Sequence, residues 1–296
     1  MSDLPAHAPD QPYIQVSALE AGHIEIPLEW AIDTAKAGEK SVVPALSFLL
    51  RHTKNHDLFV FDLGIRKDVE NLPPGVHKRI EKMGYRTEVP MDAADSLAKG
   101  GLKPTDIKHV CYSHVHFDHI GDSRPYMNAT FVVGEGARGL VFDGWPKNPD
   151  ALFAQDLLPE GRTRFLDPSN WPPLGPFPHT YDFYGDGSLY IVDAGSGHVA
   201  GHINVLARTS PDGGWLYLAG DSGHDRRLLT GEAEIPIHPY YGCAHRDKEA
   251  AAEHLARIRR LMETYPRVRV ILAHDREWYE LNKGGPAYWP GVMDSL

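Results

Sequence analysis

Ser113-His114-Val115-His116-Phe117-Asp118-His119 places four potential metal donors within six positions. The run HVCYS leading into it reads as a strand. Side chains two apart on an extended strand end project to the same side, so His114 and His116 face one point. Asp118 and His119 fall on the turn beyond, where the chain can curl to offer them to a second ion. Four such groups packed together without a cation would bury uncompensated polar surface. Three more phrases complete the constellation: Gly197-His198-Val199-Ala200-Gly201-His202, Gly220-Asp221-Ser222 and His274-Asp275. Glycines flanking two histidines suit a tight loop that brings an imidazole close to a metal. A donor set of imidazoles and carboxylates suits zinc, with iron, manganese or cobalt as substitutes. Two such ions close together can share a hydroxide and polarise a carbonyl, which is the chemistry of hydrolysis.

Rigid elements must hold these donors. Short apolar runs recur, each bounded by Gly, Pro, Asn or Asp: LSFLL, LFVFDLG, HVCYS, TFVVG, LYIVDAG, HINVLART, WLYLAGD and VRVILAHD. They read as strands, many of them buried on both faces. Over Glu249 to Thr264, Leu255, Ile258, Leu261 and Met262 recur at helical spacing, which predicts an amphipathic helix. A shorter helix is expected around Ala93 to Lys99, stopped by Gly100 and Gly101. Strands in two batches, with helices between and after them, predict a sheet-rich sandwich with helices outside. Every donor phrase sits where a strand runs out, so one shared edge can present them all. The Pro/Gly-rich stretch from Asp167 to Pro178 reads as a loop or a turn between two halves. Residues 1–12 are expected to form a loose arm, and residues 13–296 a single domain.

The 296 residues, 42% hydrophobic and 24% charged, are enough for a large core. A net charge of −10 argues against a nucleic-acid partner, because phosphate backbones are held mainly by Lys and Arg. The longest apolar stretches fall far short of the ~20 residues of a membrane helix. No basic start leads into an apolar run, and Cys111 and Cys243 make no disulfide framework, so a cytoplasmic protein is expected. Monomer and dimer both remain open.

From about Val42 to Asp275 the sequence resembles the metallo-β-lactamase superfamily, most specifically in its H-x-H-x-D-H motif. That resemblance implies an α+β fold, the four-layer αβ/βα sandwich, with the site at one edge of the paired sheets. It implies two zinc ions: His114, His116 and His202 on the first, Asp118, His119 and His274 on the second, and Asp221 bridging both. His198 is then a loop-shaping residue, and Asp62 supports the site from behind the ligands. Classical zinc β-lactamases have a cysteine where this chain has Asp221, which argues against an antibiotic-resistance enzyme. The phrases S-H-V-H-F-D-H and G-H-x-x-G-H and the strand-end His-Asp look most like the N-acyl homoserine lactone lactonase branch. A small-molecule ester or lactone substrate is then expected, opened by a hydroxide bridging the ions, with Asp118 in the catalytic centre. Those lactonases carry a tyrosine three residues after the bridging aspartate. Here that position is His224, expected to donate a hydrogen bond to the substrate. Phe117, Tyr240 and Tyr241 are expected to line the pocket, with Trp30 and Trp145 as further aromatic candidates. The rival hydrolases are a thioesterase of glyoxalase II type and a phosphodiesterase. The first would need a basic C-terminal patch, and Asn282 to Leu296 offers only Lys283. The second is disfavoured by the acidic balance. An iron-dependent sulfur dioxygenase is the rival outside hydrolysis.

Overall fold

A computed structural model describes residues 3–296. One sheet takes β1 (Ile14–Leu19), β4 (Ser47–His52), β5 (Leu58–Phe61), β7 (His109–Cys111), β8 (Thr130–Gly134) and β9 (Thr163–Leu166), in that order. A second takes β10 (Thr180–Asp182), β11 (Leu189–Gly195), β12 (His202–Arg208), β13 (Trp215–Leu218) and β14 (Val268–Ile271). A small third sheet orders β3 (Lys40–Pro44), β2 (His23–Pro27) and β6 (Arg86–Glu88). Asp167–Pro178 lies between β9 and β10 and so carries the chain from the first large sheet to the second.

Burial explains the layering. Phe48, Phe59, Phe61 and Val132 of the first sheet pack into one cluster with Leu189, Ile191, Val205 and Leu218 of the second. The far face of the first sheet is covered by Leu97 of the helix Ala93–Ala98, packed with Val60, Val110 and Phe131. The far face of the second is covered by the helix Lys248–Thr264 through Leu255, Ile258 and Leu261. The result is helix, sheet, sheet, helix. Each of those three helix side chains is essentially buried, and each contributes about 1.5–3 kcal/mol relative to exposure. Asp247 starts this helix by accepting from the Ala250 amide at 3.0 Å. The helix also supplies the crossover that β13 and β14 need, since they pair in parallel. Strand β12 is buried along its whole length, including its polar His202, Asn204 and Arg208.

The N-terminal residues are tied down at three points. Leu4 N–H donates to the Tyr265 hydroxyl, Arg208 donates to the Pro5 carbonyl, and Gln11 donates to the Asp186 carbonyl. Among the described residues no helix is long and apolar enough to cross a membrane.

Candidate metal centre

The donors come from both large sheets. β7 ends at Cys111, and the chain after it carries His114, His116, Asp118 and His119. His198 follows β11, Asp221 follows β13, and His274 follows β14. They converge on two groups, His114–His116–His198–Asp221 and Asp118–His119–His274. In the first, His114 Nε2 and His116 Nδ1 are 2.9 Å apart. His198 Nε2 lies 3.2 Å from the former, 3.0 Å from the latter and 3.4 Å from Asp221 Oδ2. In the second, His274 Nε2 is 3.5 Å from Asp118 Oδ2, and both His119 Nε2 and His274 Nε2 approach Asp221 Oδ1, at 3.3 and 3.4 Å. Donors about 2.0–2.1 Å from a tetrahedral zinc lie roughly 3.3–3.4 Å from one another, so these spacings fit an ion in each group. Asp221 turns one carboxylate oxygen to each.

His202 is not among the converging donors. It opens β12, where the sheet fixes the direction of its side chain, and its ring centroid lies 5.3 Å from that of His114. His198, on the Gly197–Gly201 loop, lies with His114, His116 and Asp221, while His202 Nε2 is buried nearby without a hydrogen-bond partner. The loop is locked from behind: a Cβ at Gly197 would meet Ala251 N at 2.6 Å, and one at Gly201 would meet Ala137 N at 2.5 Å.

Supporting groups fix the rings. His119 Nδ1 donates to Asp62 Oδ2 at 2.9 Å, and His274 Nδ1 donates to the Pro44 carbonyl at 2.8 Å, so each Nε2 faces the centre. Asp62 also accepts from the Ser113 amide and hydroxyl, both at 2.7 Å, and Ser113 Oγ lies 3.0 Å from His114 Nδ1. Ser113 thus links the supports of both groups, a role its place in the motif did not mark.

Electrostatics tests whether this set suits cations. Burial pulls His116 down to about 4 and holds His114 and His198 well below the usual imidazole range, leaving them neutral and able to bind. Burial also opposes a charge on His274, but Asp221 and Asp118 outweigh it and push it up to about 10. A divalent ion would compete for those same carboxylates and displace the proton. His119 Nε2 and Asp221 Oδ1 are buried without a hydrogen-bond partner, which an ion between them would satisfy. The residues fit two metals.

Beside the centre opens a pocket walled by Ile24, Ile26, Trp30, Val76 and Leu152, with Phe117, Arg79 and Tyr85 also facing it. His224 lines it as well; its Nε2 is 3.1 Å from Asp221 Oδ2, and its ring packs 4.8 Å from Trp30. Tyr240 and Tyr241, expected in this wall, are absent from it. Their turn is closed by reciprocal backbone bonds between His238 and Gly242, which aim Tyr240 at solvent, 61% exposed, and stack Tyr241 on His238. Trp145 is likewise on the surface, and Arg226 is drawn away to the buried Asp275 at 2.8 Å. Arg79, Tyr85 and the β2 isoleucines carry no motif; only the fold brings them here. His245 is a further imidazole close by, buried, with its ring 5.1 Å from His198 and 5.2 Å from His224.

Residues 41–274 match the family model described as the metallo-beta-lactamase superfamily, and the chain belongs to that superfamily of metallo-hydrolases. The chain is 34% identical over 217 residues to the gamma-lactamase FDB1 of Fusarium pseudograminearum, covering 71% of this chain and 51% of that protein. It is 28% identical over 184 residues to the N-acyl homoserine lactonase AttM of Azorhizobium caulinodans, covering 62% of this chain and 66% of AttM. The chain therefore spans about half the length of the first of these relatives. In fold it superposes on a Bacillus thuringiensis AiiA mutant with N-decanoyl-L-homoserine bound, at a TM-score of 0.71 and 16% identity, covering 94% of this chain and 98% of that one. The architecture is the metallo-β-lactamase fold expected from the motif.

Proposed function

We propose that this protein is a two-zinc hydrolase that opens a lactone ring. The observation that carries the reading is Asp221, whose Oδ2 faces His198 while its Oδ1 faces His119 and His274, so that one carboxylate serves both groups. Ions bound there would supply hydroxide at neutral pH and a Lewis acid for the carbonyl. The chain's own residues do the rest. Ile24, Ile26, Trp30 and Leu152 exclude water from an acyl body. His224, on the pocket wall beside Asp221, is placed to donate an N–H to the carbonyl or leaving oxygen, the part a phenol plays in the lactonase branch. Asp118, held beside His274, keeps the second group anionic enough to retain its ion.

A cyclic amide is the second reading, favoured by the higher identity to FDB1 than to AttM. The two differ in the leaving group, an alkoxide or an amine. Zinc-loaded protein assayed against γ-lactones, γ-lactams, thioesters, phosphodiesters and a β-lactam tests both. Ring opening of the lactone, lost in the metal-stripped protein and in His116→Ala, is the expected result. Turnover confined to phosphodiesters, or full activity without metal, overturns the proposal. A cytoplasmic location and a small-molecule partner belong to the same reading.

A further inference from the structure

We infer that Arg79 sets the specificity of this pocket, and that the preferred substrate is an apolar cyclic ester or amide carrying a carboxylate away from the bond that is cut. The inference rests on the ring-opening reading above and adds the substrate's charge to it.

The helix Pro74–Met83 presents Val76 and Arg79 three residues apart, hence on one face, and both line the pocket. That wall is otherwise apolar: Ile24, Ile26, Trp30 and Leu152 offer only carbon and one indole N–H. Cations on the surrounding surface are neutralised by neighbours. Lys78 pairs with Asp150, Arg66 with Asp68, and Arg124 with Asp122 and Asp68. Arg79, only half-exposed, has no carboxylate within ion-pair distance among the described residues. Its charge acts on the Tyr85 phenol, to which it hydrogen-bonds, and on the His116 imidazole; burial keeps the phenol protonated and therefore a hydrogen-bond donor. In a chain of net charge −10, a cation left without a counter-ion inside an apolar cleft is conspicuous.

A guanidinium half-removed from water is stabilised by a carboxylate that meets its planar fork with two parallel hydrogen bonds. Tyr85 O–H adds a third donor beside it. The metal donors His116, Asp118 and Asp221 line the same pocket. A substrate in it meets both, with the scissile carbonyl at the metal donors, the carboxylate at Arg79 and its hydrocarbon body against Trp30 and the isoleucines. A neutral substrate fills the same apolar space but leaves the guanidinium unpaired.

The test uses metal-loaded full-length protein, a pair of γ-lactones of one hydrocarbon frame with and without a carboxylate, and the matching cyclic ether acid, which cannot be opened. Wild type is expected to favour the acidic lactone. Arg79→Met is expected to lower the acidic-to-neutral ratio of kcat/KM by roughly 10- to 100-fold, mostly through KM, and to weaken calorimetric binding of the ether acid by a similar factor, the range for a charge-assisted hydrogen-bonded pair. Arg79→Lys should recover part of both losses. An unchanged ratio together with unchanged binding of the ether acid overturns the inference. Arg79-dependent binding of the ether acid by a protein that opens neither lactone would overturn the ring-opening reading while upholding the selection of a carboxylate.

Discussion

His198 and His202 sit four positions apart and are chemically identical, and backbone geometry places only His198 among the converging donors. His198 lies on a loop bounded by glycines and reaches Asp221 Oδ2 at 3.4 Å; His202 is committed to a strand. His198→Ala is expected to reduce bound zinc by about one ion per chain, measured by elemental analysis. His202→Ala should retain both ions and instead lower stability through the cavity it leaves in a buried site. The opposite pattern would restore His202 as the ligand. His224→Phe should keep its metal and lose about 10²-fold in kcat, the cost of removing one donor to a developing oxyanion. A variant with unchanged kinetics would assign His224 to packing. These residues also mark how far the sequence could be read. His114, His116, His119, Asp221 and His274 stood out as candidate donors because they fall in the H-x-H-x-D-H motif or just after a strand. The choice between two histidines of one loop depends on where the strand begins, and Arg79 depends on a helix docking from elsewhere, so neither left a local signal.

Among the elements, the loop before β12 is closely constrained. Gly201 has φ +79, and a Cβ there would meet Ala137 N at 2.5 Å and Gly134 O at 2.9 Å. Gly201→Ala is expected to cost at least about 1–2 kcal/mol for the left-handed backbone alone, more with the clash, and to loosen zinc binding by moving His198. Differential scanning and metal titration would both register it; a neutral outcome would mean that the helix starting at Ala137 can yield. The helix of Lys248–Thr264 was the easiest element to read, because one apolar stripe at helical spacing admits a single interpretation. The small sheet β3–β2–β6 was the hardest. Its strands are short and half-polar, and its isoleucines are recognisable as pocket wall only once β2 lies beside the metal donors.

At the scale of the molecule, buried imidazoles govern the response to acid. Burial pulls His109 down to about 4 and His254 to about 3. Unfolded histidines take up protons near pH 6.5, whereas these accept them in the fold only some units lower. Between those limits the unfolded chain binds more protons, so stability falls as pH drops from about 6.5 towards 4. Urea midpoints at pH 7 and pH 5 should show this. His109→Phe, whose new ring would join Phe59 and Phe183, should make the decline shallower. An equally steep decline in that variant would place the acid sensitivity elsewhere. Removing the metals should act on the whole molecule too: ions at 100 times their Kd contribute about 2.7 kcal/mol, so chelation should lower Tm by roughly 5–10 °C.

Because the candidate donors are drawn from both large sheets, a metal pair held by them would have a place in the order of assembly as well as in the proposed reaction. The H-x-H-x-D-H segment is local in sequence, whereas Asp221 and His274 join it only through docking of the second sheet on the first. Full-strength capture is expected to wait on these long-range contacts, which are slow to form. Zinc would then act as a latch, slowing the parting of the two sheets far more than it speeds their meeting. Refolding rates should be nearly the same with zinc or chelator present, while unfolding rates should differ strongly.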